Sequence, residues 1–267
     1  MRATLAVAFS LVALALPASA SAVVGGTAVK SGTYPFVVAV GTSHGMDCGG
    51  TLIAPNVILT AAHCLANATT TPDRLRVLVG STSLTAGLAA GDTTRLIPVA
   101  AVYIHPKFSA QSMHYDAALL ILTRAVAGVR TLPMATLTTP PGAAVSAAGW
   151  GRTSEHGATS PNHLRSVTLK VEAPTTCRTD NAVPGDYFAP SMMCASAPGR
   201  DTCSGDSGGP LIGTSGGHIA LVGITSYGYG CGEPGHPGIY TRVAAISAWA
   251  RTHLSRLPPA TSPTQVA

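Results

Sequence analysis

Three short segments hold side chains whose types and spacing suit nucleophilic chemistry. They are Leu59-Thr60-Ala61-Ala62-His63-Cys64, His114-Tyr115-Asp116-Ala117-Ala118-Leu119-Leu120 and Gly205-Asp206-Ser207-Gly208-Gly209-Pro210. A serine hydroxyl is a weak nucleophile and needs a base touching it. His63 is a candidate base, because an imidazole can both take and return a proton. It needs an orienting group on its other nitrogen. Asp116 is a lone carboxylate leading into an apolar stretch, and a carboxylate buried there must be hydrogen-bonded or paired. His63 could be that partner. Taken singly, each residue has a plainer reading: a turn serine, a satisfied core histidine, a turn-capping aspartate. With 9 His and many serines in the chain, such single readings would win. Taken jointly they fail, since neither turns nor packing require all three motifs in the order His, Asp, Ser.

The elements that must carry these side chains read as short strands. Apolar, β-branched runs recur at 36–40, 57–60, 75–79, 96–102, 117–122, 145–148, 167–171, 219–224 and 238–243, with Gly, Pro, Ser and Thr at the joints. That pattern predicts an all-β barrel or sandwich. One helix is predicted, over 244–257, with Ile246, Trp249, Ala250, His253 and Leu254 at helical spacing and Pro258-Pro259 as its stop. Residues 258–267 read as a flexible C-terminal tail. The Thr/Pro cluster at 137–141 reads as the join between two β lobes, about 23–137 and 138–257. The 267 residues are 46% hydrophobic and only 10% charged, which excludes a disordered chain. Gly 29 and Pro 20 indicate frequent turns. The net charge of +5 comes from scattered bases with no Lys/Arg run, so nothing points to nucleic acid or to a polybasic membrane contact.

Residues 1–22 read as a secretory signal peptide: Arg2, an apolar run from Ala3 to Leu16, Pro17, then small residues through Ala22. The run is shorter than the ~20 residues a spanning helix needs. Export makes the six cysteines a disulfide framework, which in principle allows 15 pairings. The simplest assignment closes the shortest loops: Cys48 with Cys64, Cys177 with Cys194, Cys203 with Cys231. A zinc site is disfavoured because no C-x-x-C pair occurs. The remaining histidines, His105 and His114 among them, read as surface or loop residues.

Together the three motifs resemble the chymotrypsin-like serine proteases, the trypsin family, in the manner of a secreted bacterial-type member. The resemblance runs from Val23-Val24-Gly25-Gly26 to the terminal helix with Trp249. It implies an all-β fold of two six-stranded antiparallel β-barrels packed face to face, with a C-terminal α-helix. The mechanism is carried over from the family's own type case: Ser207 attacks, His63 shuttles the proton, Asp116 orients His63. Gly205 and Gly208 would turn the amides of Gly205 and Ser207 toward one point as an oxyanion hole, each such donor contributing ~2.7–4 kcal/mol in the transition state. Asp201, six residues before Ser207, would floor the primary specificity pocket and hold a Lys or Arg side chain. Gly228 and Gly238 would be its walls, and Ser226 to Gly228 would pair with the substrate backbone as an added strand.

The resemblance also implies an activation ion pair between a freed Val23 ammonium and Asp206. Ala22 precedes Val23, so cleavage after a basic residue cannot release it; leader peptidase, or trimming of Ser21-Ala22, would. Further departures are Tyr227 where the family usually has Trp, Thr202 for a common Ser, and a loop over 80–91 without Asp or Glu, so no calcium site is expected. No metal or cofactor is implied. The expectation is a secreted, extracellular monomer acting on protein and peptide substrates and open to protein protease inhibitors, without nucleic-acid or stable membrane association. Chymotrypsin-like or broad specificity is the alternative, and an inactive protease-fold binding protein a further one.

Overall fold

Among the described residues, short apolar segments separated by glycine and proline joints build thirteen strands: β1 (Thr27–Ala28), β2 (Val37–Thr42), β3 (Gly45–Ala54), β4 (Val57–Thr60), β5 (Arg76–Leu78), β6 (Leu96–Ile104), β7 (Ala118–Leu122), β8 (Ala144–Gly149), β9 (Arg165–Val171), β10 (Met192–Ser196), β11 (Pro210–Ser215), β12 (His218–Tyr227) and β13 (Gly238–Arg242). The structure is a computed structural model that describes residues 23–42, 45–65, 71–88, 95–157, 160–179 and 187–256. The signal peptide and tail expected at 1–22 and 258–267 lie outside these residues, as do 89–91 of the loop read as lacking a calcium site.

Strands β2-β3-β4-β7-β6-β5 close into one antiparallel barrel, β5 returning to β2 through Val40↔Val77. The second barrel runs β9-β10-β13-β12-β11-β8 and closes where β8 pairs β9 over six registered pairs, from Ala144↔Lys170 to Gly149↔Arg165. The two-barrel all-β architecture is therefore present, with β1 added as a seventh strand on β9. Closure leaves no edge strand among the barrel strands to pair with another chain. All five residues of β7 are buried, which is why it reads as an unbroken apolar run rather than an alternating one.

Each of the nine predicted apolar runs overlaps a strand. Strands β1, β3, β10 and β11 were not legible. In β3, Cys48-Gly49-Gly50 reads as a turn, and β11 opens on Pro210 and contains Gly213. The terminal helix α3 spans Val243–Leu254, ending before the predicted residue 257, after the short helices α1 (Leu84–Gly87) and α2 (Pro174–Thr179). No described helix is long and apolar enough to cross a membrane.

The first strand and the last described helix tie the barrels together. The β1 segment pairs with β9 of the second barrel through Thr27↔Ser166. At the other end Trp249 of α3 meets His105, which follows β6 of the first barrel, with ring centroids 4.8 Å apart. Disulfides join Cys48–Cys64, Cys177–Cys194 and Cys203–Cys231, and the described residues contain no free cysteine.

Candidate active site

The candidate residues come from both barrels. His63 opens a 3-10 turn just after β4, and Asp116 lies just before β7, which pairs with β4 through Thr60↔Ala118. This pairing sets the two side chains next to each other. Asp116 is fully buried and faces His63 twice: its Oδ1 accepts the His63 backbone N–H at 2.9 Å, and its Oδ2 lies 2.7 Å from Nδ1. The ring itself is partly open to solvent. The Ser226 hydroxyl donates to Asp116 Oδ2 at 2.5 Å, and the Thr241 hydroxyl donates to the Asp116 carbonyl at 2.8 Å. Both donors come from the second barrel. Ser226 was anticipated only for its backbone, and Thr241 was not anticipated, because a threonine inside a strand sends no sequence signal of such a role.

Ser207 sits on a turn between the Cys203 loop and β11. Its carbonyl accepts the Gly49 N–H of β3 at 2.7 Å, which pins the turn to the first barrel. Gly208 has φ +79°, and a Cβ there would overlap the Thr60 hydroxyl and crowd the Gly49 carbonyl, so only glycine fits. The Ser207 hydroxyl makes no hydrogen bond to His63, whose Nε2 lies 3.9 Å from Cys64 Sγ. Such contacts are often loose without substrate. The neighbouring amides sort into two sets. Those of Asp206, Gly208 and Gly209 donate to Cys203, Thr225 and Asp206 carbonyls respectively. Those of Gly205 and Ser207 donate to no described group. Gly205 takes φ +97°, a left-handed backbone that favours glycine.

A cavity of about 220 Å³ opens beside Ser207, lined by Asp201, Thr202, Ser226, Gly228 and Gly238 among others. Asp201 is almost fully buried; its Oδ1 accepts the Thr202 N–H at 2.8 Å and its Oδ2 accepts the Gly232 N–H at 3.1 Å. Burial pushes its carboxyl up to about 6, against the pull of those two amides. Gly238 abuts it: a Cβ would come within 2.7 Å of Asp201 Oδ1. Gly228 faces Gly238, its own Cβ position being 3.8 Å from the Gly238 Cα. Thr202 and the buried Tyr240 hydroxyl share a 3.2 Å hydrogen bond behind the floor, and burial holds the Tyr240 phenol well above its usual range. No local pattern in the sequence marks Tyr240 for this place. A larger cavity lies on the far side of Asp201, lined by Glu172, Arg200, Glu233 and His236, and Ser207 does not reach it.

Asp206 is fully enclosed. Oδ1 accepts the Gly151 N–H at 2.8 Å and Oδ2 the Cys203 N–H at 2.9 Å. Burial pushes it up to about 7, the two amides oppose, and Asp201 adds to the rise. No described cation pairs with it. Val23 has a fully buried side chain, and Val24 bridges Asp201, whose amide donates to the Val24 carbonyl at 3.2 Å. His105, read as a surface or loop residue, lies in the loop after β6 but is buried between rings, because strand β6 ends beneath α3.

The family described as Trypsin matches residues 23–250. Hypodermin-B of Hypoderma lineatum is 37% identical over 237 residues, 88% of this chain and 88% of its own length. Trypsin alpha-4 of Lucilia cuprina is 37% identical over 230 residues, 85% of each chain. Trypsin delta of Drosophila erecta is 34% identical over 237 residues, 88% of this chain and 89% of its own. A match of this extent, on a two-barrel fold closed by the same chain, shows that the protein belongs to the trypsin family and is a trypsin-like serine endopeptidase, a hydrolase of peptide bonds.

Proposed function

We propose that this enzyme is secreted and cuts protein chains after Arg or Lys. Ser207 attacks the scissile carbonyl carbon while His63 takes its proton, forming a tetrahedral intermediate. The amides of Gly205 and Ser207 receive the oxyanion. His63 then gives the proton to the leaving amine, and the peptide bond breaks to leave an acyl-enzyme. Water repeats the cycle and frees Ser207. Asp116 holds the imidazole in one tautomer and compensates its charge when protonated. Support comes from the 2.7 Å His63–Asp116 contact and from two amides left undirected beside Ser207.

The observation that carries the specificity is a buried carboxylate, Asp201, flooring the cavity that Ser207 also lines. An arginine or lysine entering it would replace lost hydration with charge-assisted hydrogen bonds. The glycines at 228 and 238 leave room for the stem. Val23, once freed, is proposed to bring its ammonium to Asp206, whose burial without a cation is otherwise costly. Proteins and peptides are the substrates, protein protease inhibitors the expected partners, and the enzyme acts as an extracellular monomer. A panel of Arg, Lys, Phe and Ala peptide amides, with benzamidine as inhibitor, tests the reading. Turnover confined to Arg and Lys and blocked by benzamidine is expected; equal turnover of Phe would overturn it.

A further inference from the structure

The turn that delivers Asp116 has an unfavourable backbone, and aromatic rings hold it. Met113 and Tyr115 have φ of 58° and 52°. This left-handed region disfavours any residue with a Cβ, and an aromatic there needs support from its surroundings. Tyr115 has that support. Its ring lies parallel to His105, with centroids 4.9 Å apart and planes within 4°. His105 is buried and set edge-on to Trp249 at 4.8 Å. Its Nδ1 accepts the Lys107 backbone N–H at 3.2 Å. Burial first, then the charges of Lys107 and His253, push its imidazole down to about 4, so the ring stacks in the neutral form. Lys107 Nζ also stands 5.3 Å from the Tyr115 centroid, and the Tyr115 N–H donates to Ser191 Oγ at 3.3 Å.

His105 holds the chain on both sides of Asp116. Its ring lies on Tyr115, and its backbone N–H donates to the Ala117 carbonyl at 2.9 Å. The carboxylate between them has little slack, since it must meet the His63 amide, the His63 ring and the Ser226 hydroxyl together. We infer that Tyr115 is a positioning residue: its stack on His105 locks the left-handed turn that aims the Asp116 carboxylate at His63. Without the ring, residue 115 relaxes toward the ordinary backbone regions and the next side chain swings with it. Trp249 braces His105 from behind, so the C-terminal helix reaches the active site through two rings. The inference rests on the role of Asp116 proposed above.

The test compares Tyr115→Ala with Tyr115→Phe in the mature enzyme, on one Arg peptide amide. A misplacement near 1 Å costs on the order of 100-fold, so a partial swing in Tyr115→Ala is expected to lower kcat by roughly tenfold with KM nearly unchanged. The acid limb of its rate–pH profile should move to lower pH, because the imidazolium has lost part of its carboxylate partner. The low-field proton NMR signal of the His63–Asp116 hydrogen bond should shift or broaden. Tyr115→Phe keeps the stack and should match the parent in all three readouts. A Tyr115→Ala enzyme that melts earlier but keeps the parent kcat, profile and NMR signal would overturn the inference, leaving Tyr115 as packing only. If that variant is not recovered folded, His105→Ala and His105→Phe decide in the same way, the first slow and the second near parental; equal activity of the two overturns it. Asp116→Asn separates the two layers. Full activity there defeats the Asp116 reading itself, whereas a slow Asp116→Asn beside a parental Tyr115→Ala defeats only the positioning inference.

Discussion

Asp201 and Gly238 are in direct opposition: any Cβ at 238 would sit 2.7 Å from a carboxylate oxygen of Asp201. Space and charge at the pocket floor are thus set by one pair, so a side chain at 238 disturbs both together. Gly238→Ala is expected to raise KM for Arg and Lys substrates more than tenfold, since it fills the pocket and pushes the carboxylate from its two amides. Gly228 is different. A Cβ there meets nothing closer than 3.7 Å, so Gly228→Ala should keep the parental melting temperature while still raising KM by narrowing the wall. Steady-state kinetics and melting curves on the two variants check this; a Gly228→Ala enzyme with parental KM would remove that glycine from the pocket.

Asp201 should make benzamidine binding pH-dependent. The carboxyl is pushed up to about 6 by burial, and a cation binds the ionised form. Affinity is therefore expected to be full well above pH 6 and to fall about tenfold for each unit below it. Calorimetric titration on a Ser207→Ala background measures binding free of turnover. Asp201→Ser should abolish both the binding and its pH dependence, and a flat profile in the parent would contradict the assignment.

Asp116→Asn should leave the fold intact and lower kcat by about 10⁴-fold, a loss taken over from the family's type enzyme. The amide cannot serve the His63 Nδ1–H and the His63 backbone N–H as the carboxylate does. Ser226→Ala removes one donor from the same oxygen and should cost far less, on the order of tenfold in kcat. Equal losses for the two would mean that Ser226, not His63, is the main partner of Asp116.

Release of Val23 should flatten a pH slope in stability. In a chain that still carries Ser21-Ala22, the Val23 nitrogen is an uncharged amide. Folded Asp206 then keeps its proton up to about pH 7, while the unfolded carboxyl releases it near 3.8. The folded state binds more protons across that window, so stability is fully present below 3.8 and falls as pH rises toward 7. Asp201 contributes with the same sign up to about pH 6. A free Val23 ammonium favours ionised Asp206 and cancels its share. Melting temperatures at pH 4 and 7, with and without Ser21-Ala22 on a Ser207→Ala background, should differ in slope; parallel slopes would sink the ion pair.

Much of this enzyme is legible one segment at a time. The motif around Ser207, the His63 and Asp116 motifs and the nine apolar runs are local patterns, because turn glycines and β-branched runs act over a few residues. Strand β3 escaped because Gly49 and Gly50 look like a turn until neighbours are known. A Cβ at 49 would meet Gly209 Cα at 2.8 Å, and one at 50 would meet Ile58 and Val38. Those contacts span up to 160 residues of chain, beyond the reach of any local pattern. The burial of His105 was likewise not legible, since a lone histidine before a proline has no visible partners.

The residue types and their order determined the chemistry proposed for this chain: a hydroxyl, an imidazole and a carboxylate, with an acid and two glycines as the proposed pocket for a cationic side chain. Only the tertiary structure decided how they meet. Pairing of β4 with β7 set Asp116 beside His63, and the second barrel supplied Ser226 and Thr241 to hold the carboxylate. The helix at the far end of the chain placed Trp249 behind His105 and Tyr115. The physical reason is that hydrogen bonds and ring stacks are short-ranged in space and indifferent to separation along the chain, so barrel closure alone determines which distant side chains they join.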